Sequence, residues 1–155
     1  MAAEIERKFL LDEEPGWLSD CESRSIEQGY LVVSESDEVR LRRDGEALRM
    51  TVKMGHGLSR EETEIDLGPG QFEALWPLTN GRRVSKTRYL VPLEGGLTAE
   101  VDVFSGRYEG FRAVEVEFGS EDEANSFDPP EWFGRDVTGQ REYSNQHMAL
   151  EHPGS

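Results

Sequence analysis

The feature that most constrains this 155-residue chain is an alternation of charged and apolar residues, repeated in eight separate stretches. Successive side chains of a strand point to opposite faces, so this alternation predicts β-structure with one charged and one apolar face. The predicted strands are residues 3–10, 25–33, 38–43, 47–54, 58–66, 82–92, 97–104 and 111–118. Asp44-Gly45 between the third and fourth is a tight-hairpin signal, and Gly55-His56-Gly57 predicts the next turn. Helices are fewer. Pro69 after Gly68 opens one over 69–76, and Ser120 with Glu123 makes a capping box for another near 121–127. A last helix is expected over 139–150 with Thr138 as its cap, and a turn or short helix over 12–20 around Pro15-Gly16. Eight strands at short spacing predict a mainly β fold, an antiparallel barrel or sandwich, in a single domain over 1–155.

The charged faces hold a particular set. They carry Glu4, Glu6 and Lys8; Arg40 and Arg42; Arg49, Thr51 and Lys53; and Arg60, Glu62 and Glu64. Lys86 and Arg88, Glu100 and Asp102, and Glu115 and Glu117 complete it. A solvated sheet face is the ordinary account of such a pattern. Against it, the pairs repeat one sign. All three lysines of the chain (Lys8, Lys53 and Lys86) also fall on these faces, among 17 bases otherwise all arginine. The alternative is a closed eight-stranded barrel with the charges inside and the apolar face packed under helices.

Carboxylates gathered in such a lumen repel, at roughly 4 kcal/mol for two unit charges about 4 Å apart at an effective dielectric near 20. They need counter-charges or a metal. Lys8, Arg40, Arg42, Lys53, Lys86 and Arg88 supply the first, and an all-oxygen donor set favours Mg²⁺ or Mn²⁺ for the second. Arginine, lysine and such a cation together suit a linear polyphosphate.

The net charge of -15 argues against nucleic acid or an anionic membrane as partner, since both need a basic footprint. No apolar stretch reaches the roughly 18 residues of a membrane span, and MAAEIERKFLL has no signal-peptide core. Cys21 is the single cysteine and can form no internal disulfide. A cytoplasmic protein, monomer or homodimer, acting on a small molecule is expected. His56, His147 and His152 lack metal spacing. Trp17, Trp76 and Trp132 read as outer-face packing, and Arg82 and Arg83 as a solvated hairpin end.

Glu4-Ile5-Glu6-Arg7-Lys8 is an ExExK motif, followed in order by VRLR at 39–42, TVK at 51–53, ETE at 62–64, SKTR at 85–88, EVD at 100–102 and VEVEF at 114–118. This series resembles the CYTH domain, or triphosphate tunnel metalloenzyme, family. The strings EIERKFL, QGYL, GRRVSKTRY, DVFSG and PPEWFG look most similar to its short bacterial tripolyphosphatases.

The resemblance implies an eight-stranded antiparallel tunnel that hydrolyses inorganic triphosphate with Mg²⁺ or Mn²⁺. It implies that Arg40, Arg42, Lys53, Lys86 and Arg88 grip the phosphates. Glu4, Glu6, Asp102, Glu115 and Glu117 would hold one metal, and Glu62 and Glu64 a second metal or its water. Lys8 would contact the reacting phosphate and orient the nucleophile, with Tyr30 of QGYL near the tunnel mouth as a further catalytic candidate or a wall aromatic. Thiamine triphosphatase, class IV adenylyl cyclase and a non-catalytic polyphosphate binder are the alternatives. The start of the chain so close to Glu4 is expected to disfavour the cyclase.

Overall fold

A computed structural model of the protein describes residues 5–55 and 61–150. Glu4, His56, Arg60 and His152, the turn at 55–57 and the first residues of the predicted strands 3–10 and 58–66 lie wholly or partly outside them. The alternating stretches become β1 (Ile5–Leu10), β2 (Glu22–Val33), β3 (Glu38–Asp44), β4 (Ala47–Met54), β5 (Glu61–Asp66), β6 (Arg83–Pro92), β7 (Thr98–Ser105) and β8 (Arg112–Phe118). They form one eight-stranded sheet in the order β1-β8-β7-β6-β2-β3-β4-β5. Ladders β1–β8, β7–β8, β2–β3, β3–β4 and β4–β5 are antiparallel. Among the described residues the α-helices are α1 (Pro69–Leu75), α2 (Glu121–Ser126) and α3 (Asn145–Leu150), with short 3₁₀ turns between elements. None of the described helices is long and apolar enough to cross a membrane.

The chain divides into two compact units, residues 1–24 with 86–143, and 25–85 with 144–155. In the first, alternation sets the core. Phe9 of β1, Ala99 and Val101 of β7, Val114, Val116 and Phe118 of β8 and Val91 of β6 form a buried cluster with Leu18, Ala124 and Phe133. Full burial of each valine, leucine or phenylalanine here is worth about 1.5–3 kcal/mol. Trp132 packs against this cluster, and Trp17 meets it edge-on at 5.1 Å. Trp132 therefore packs on the apolar side, as expected, while Trp17 is 42% exposed. Alternate residues of the same strands, Lys8, Glu100, Asp102, Glu115 and Glu117, point away from this core.

In the second unit, β3 and β4 are joined by the two-residue loop Gly45-Glu46, with Asp44 opposite Ala47 and φ at Gly45 of 61°. Glycine at the first loop position is the residue this geometry favours. Phe72 of α1 is fully buried and stacks on Trp76 at 5.1 Å. Arg82 and Arg83 are not at a solvated hairpin end. Arg82 donates to the Tyr30 and Leu78 carbonyls, and Arg83 to Thr79 Oγ1 and the Trp76 carbonyl, so both brace this corner.

Among the described residues the ladder runs from β1 at one end to β5 at the other. The edge of β1 away from β8 is taken by residues 134–138. Leu10 N–H donates to the Arg135 carbonyl at 2.8 Å, Gly134 N–H to the Leu10 carbonyl at 2.7 Å and Val137 N–H to the Lys8 carbonyl at 2.8 Å. A covered edge needs no partner strand. The expected helix over 139–150 shrinks to α3, after a 3₁₀ turn at Arg141–Tyr143. The Thr138 hydroxyl is engaged by the Lys8 N–H and by Asp136, Gly139 takes a φ of 77°, and Ser144 Oγ accepts from the His147 N–H instead. The α2 capping box is as expected, with the Glu123 N–H donating to Ser120 Oγ at 3.1 Å.

Gly29 lies against the fully buried Thr79, where an added Cβ would come within 2.5 Å of Oγ1. Gly29→Ala is expected to lower stability by about 1–3 kcal/mol. Gly70→Ala, in α1 with nothing within 4 Å of the new Cβ, should hold or raise it by up to about 1 kcal/mol. Urea midpoints of the two variants check this.

Candidate functional site

The charged faces are best described one unit at a time. In the first unit, β6 places Lys86 and Arg88 two residues apart on one face, and β7 places Asp102 against both. Lys86 Nζ lies 2.7 Å from Asp102 Oδ2, with side chains only 1% and 4% exposed. The Arg88 guanidinium binds the same carboxylate through two parallel N–H bonds, Nε to Oδ1 at 2.8 Å and NH2 to Oδ2 at 2.9 Å. Its NH1 pairs with Glu100 at 3.0 Å. Burial alone would raise the Asp102 carboxyl, but the Lys86 ammonium and then Arg88 outweigh it and hold the pKa down to about 2. Burial pushes the Lys86 ammonium below its ordinary 10.5, and Asp102 counters that push. Burial also works against Arg88, but its bonds to Asp102 prevail and raise its pKa.

The remaining acids form rows across the sheet. Glu6 sits opposite Glu117, and Lys8 opposite Glu115, which is opposite Glu100 in turn. Lys8 Nζ lies 3.4 Å from Glu115 Oε1 and donates to the Tyr143 carbonyl at 2.5 Å. Tyr143 is itself held, its ring stacked on Phe111 at 6.0 Å and its hydroxyl accepting from Arg135 at 2.7 Å.

The second unit carries a separate network. Gln28, 1% exposed, donates to the Tyr30 hydroxyl at 2.7 Å and accepts from Arg42 Nε at 2.6 Å. Arg40 pairs with the buried Glu38 at 3.1 Å, and Gln146 of α3 donates to the other Glu38 oxygen at 2.9 Å. Arg40 Nε is buried without a hydrogen-bond partner among the described residues. Burial, with Glu38 adding to it, pushes the Tyr30 phenol up to about 12, so it stays protonated at neutral pH.

β5 is exposed along its whole length. Glu62 pairs with Lys53 at 3.9 Å, and Glu64 accepts from Thr51 Oγ1 at 3.3 Å and faces Arg49 at 3.8 Å.

The sequence-predicted residues thus gather in two sets. Glu6, Lys8, Lys86, Arg88, Asp102, Glu115 and Glu117 stand in the first unit, and Tyr30, Arg40, Arg42, Lys53, Glu62 and Glu64 in the second. Glu4 lies outside the described residues. Gln28, Glu38, Gln146 and the Tyr143 carbonyl were not foreseen. For Glu38 a signal existed, since it shares the strand face of Arg40 and Arg42; Tyr143 and Gln146 meet Lys8 and Glu38 across 135 and 108 residues of sequence.

A hard divalent cation fits the acidic rows chemically. Glu6 opposite Glu117 and Glu115 opposite Glu100 put four carboxylates in direct cross-strand positions, an all-oxygen donor set of the kind such a cation takes. Among the described residues no three acidic side chains already stand grouped around one ion position.

An inorganic triphosphatase of Nitrosomonas europaea is 48% identical over 151 residues, 97% of this chain and 99% of that protein. One of Acetivibrio thermocellus is 35% identical over 150 residues, 96% of this chain and 94% of that protein. A crystal structure of an inorganic triphosphatase superposes with a TM-score of 0.82 at 45% identity, covering 99% of both chains. No family model matches. The chain belongs to the inorganic triphosphatase family.

The Asp102 carboxyl has a folded pKa of about 2 against an ordinary 3.8, so between these values the unfolded chain binds the extra proton. Its contribution to stability is complete above about pH 4 and is lost as pH falls towards 2. The stability gap between the protein and Asp102→Asn, read from urea melts, is expected to narrow over that window.

Proposed function

We propose that the chain is a CYTH-type triphosphate tunnel metalloenzyme. It hydrolyses inorganic triphosphate to pyrophosphate and orthophosphate with Mg²⁺ or Mn²⁺, with residues 1–155 acting as a single domain. It acts in the cytoplasm on this small molecule, as a monomer or homodimer. The observation that carries the reading is the burial of Lys86 and Arg88 on the face of β6 turned from the apolar core. A solvated face would leave them in water, and a merely structural one would gain more from apolar residues.

Arg40 supports it too: a buried N–H without a partner costs about 1–3 kcal/mol, and a phosphate oxygen would satisfy it.

In this reading Arg40, Arg42, Lys53, Lys86 and Arg88 neutralise the phosphate oxygens with charge-assisted hydrogen bonds. Glu4, Glu6, Glu115 and Glu117 hold the divalent cation, which when bound offsets phosphate charge and makes water more acidic. Lys8, fixed between Glu115 and the Tyr143 carbonyl, turns its ammonium to the reacting phosphoryl group and orients the attacking water. Tyr30 is a hydrogen-bond donor rather than a base, because its phenol stays protonated. Glu62 and Glu64, exposed on β5, accept the proton of the attacking water and serve a second cation.

Phosphate release from tripolyphosphate, ATP and thiamine triphosphate, each with Mg²⁺, Mn²⁺ or chelator, tests the proposal. Tripolyphosphate should turn over fastest, and chelator should stop it. Lys8→Ala and Glu6→Gln should each lose about a hundredfold or more in kcat while remaining folded. Binding without cleavage would make the protein a polyphosphate binder, and neither binding nor cleavage would refute the reading. Undiminished activity in both variants would refute the roles given to the ExExK residues.

A further inference from the structure

We infer that Asp102 is a positioning residue that fixes Lys86 and Arg88 as a pair of cations, and that it is not a ligand of the divalent cation. The inference rests on the triphosphatase reading and departs from the ligand role that the sequence resemblance implies for Asp102.

A ligand carboxylate must offer a lone pair to the ion at about 2.1 Å. Both Asp102 oxygens already accept short bonds from cationic donors. Oδ1 takes Arg88 Nε at 2.8 Å, and Oδ2 takes Arg88 NH2 at 2.9 Å and Lys86 Nζ at 2.7 Å. An ion on either oxygen would displace one of these donors, or stand within a few ångströms of two positive groups and be repelled by both. Asp102 is 3% exposed, so little water is at hand to screen that repulsion.

The other acids of this face differ in kind. Glu115 has Lys8 on one side and Glu100 on the other, and Glu117 faces Glu6. There the cross-strand neighbours include further carboxylates to share an ion, and the Lys8 contact of Glu115 uses Oε1 alone, at 3.4 Å; at Asp102 both oxygens are bonded to cations.

What Asp102 does instead follows from spacing. Lys86 and Arg88 are like charges on the same face of one strand, and they oppose each other's burial. One carboxylate bonded to both removes that conflict and leaves a net positive group. It locks the guanidinium in one plane through two parallel bonds, with NH1 turned to Glu100. Three of the five guanidinium N–H groups are used in this way, and among the described residues the other two remain for a phosphate oxygen. The arrangement orders the cations before the substrate arrives, which is where electrostatic preorganisation acts.

The test compares Asp102→Asn with Glu115→Gln and Glu117→Gln. Mn²⁺ is titrated into each protein without substrate and followed by electron paramagnetic resonance. The Mn²⁺ dissociation constant should stay within about twofold of the parent in Asp102→Asn and rise about tenfold or more in the two glutamate variants. In the turnover assay, Asp102→Asn should raise KM for tripolyphosphate by about tenfold, a loss of one charge-assisted hydrogen bond, with the Mn²⁺ half-saturation unchanged.

Crystals of the unaltered protein soaked in Mn²⁺ give an independent reading should the variant not fold. Anomalous density should place no ion in bonding distance of Asp102. An Mn²⁺ bonded to Asp102, or an affinity loss in Asp102→Asn equal to that in Glu115→Gln, would overturn the inference. Absence of tripolyphosphate turnover in the parent would instead refute the triphosphatase reading, and the Mn²⁺ titration would still judge Asp102.

Discussion

One carboxylate shared between Lys86 and Arg88 governs much of what surrounds it. Burying either base alone would carry a desolvation cost of several kcal/mol. Asp102 makes the burial tolerable, and through it β6 and β7 keep a charged face away from water. The opposite faces of the same strands are buried as well, by Val91, Ala99 and Val101 in the apolar cluster. Strands covered on both sides in this way are not the half-wet antiparallel sheet that alternation ordinarily signals. The acidic rows of β1 and β8 lie on the same face, and the position of Lys8 is set there by contacts from residues 137, 138 and 143.

Much of this was legible in the alternation. Period two is a local property, and strong β-branched positions such as Val101, Val114 and Val116 leave few other conformations for such segments. The pairing of Asp44 with Ala47 and the Ser120 cap were also local, and both were readable. What lies along the far edge of β1 was not, because it depends on a segment distant in sequence. Residues 134–138 occupy that edge, and nothing in their own sequence marks them as an edge cover. The final helix was over-read for a similar reason: the Thr138 hydroxyl, an apparent cap, is used by the Lys8 backbone.

The candidate site was readable as a list of residues and less so as a set of roles. Parity put Lys86, Arg88 and Asp102 on one face. Only geometry shows that both oxygens of the aspartate are bonded to the two cations. Gln28 illustrates the same limit. A lone glutamine two residues before Tyr30 has no signature, yet it couples the Tyr30 hydroxyl to Arg42 and orients both. The net charge of -15 is likewise a poor guide, because the bases that matter are few and clustered while much of the acid excess is elsewhere.

The central claim is that the charged strand faces are the surfaces that receive the triphosphate. Calorimetric titration of tripolyphosphate with chelator present, so that nothing turns over, tests it most directly. Arg40→Gln and Arg88→Gln should each weaken binding by about ten- to a hundredfold, the worth of one charge-assisted hydrogen bond, while Arg107→Gln in an exposed turn leaves it unchanged. Equal affinity in all three variants would contradict the account.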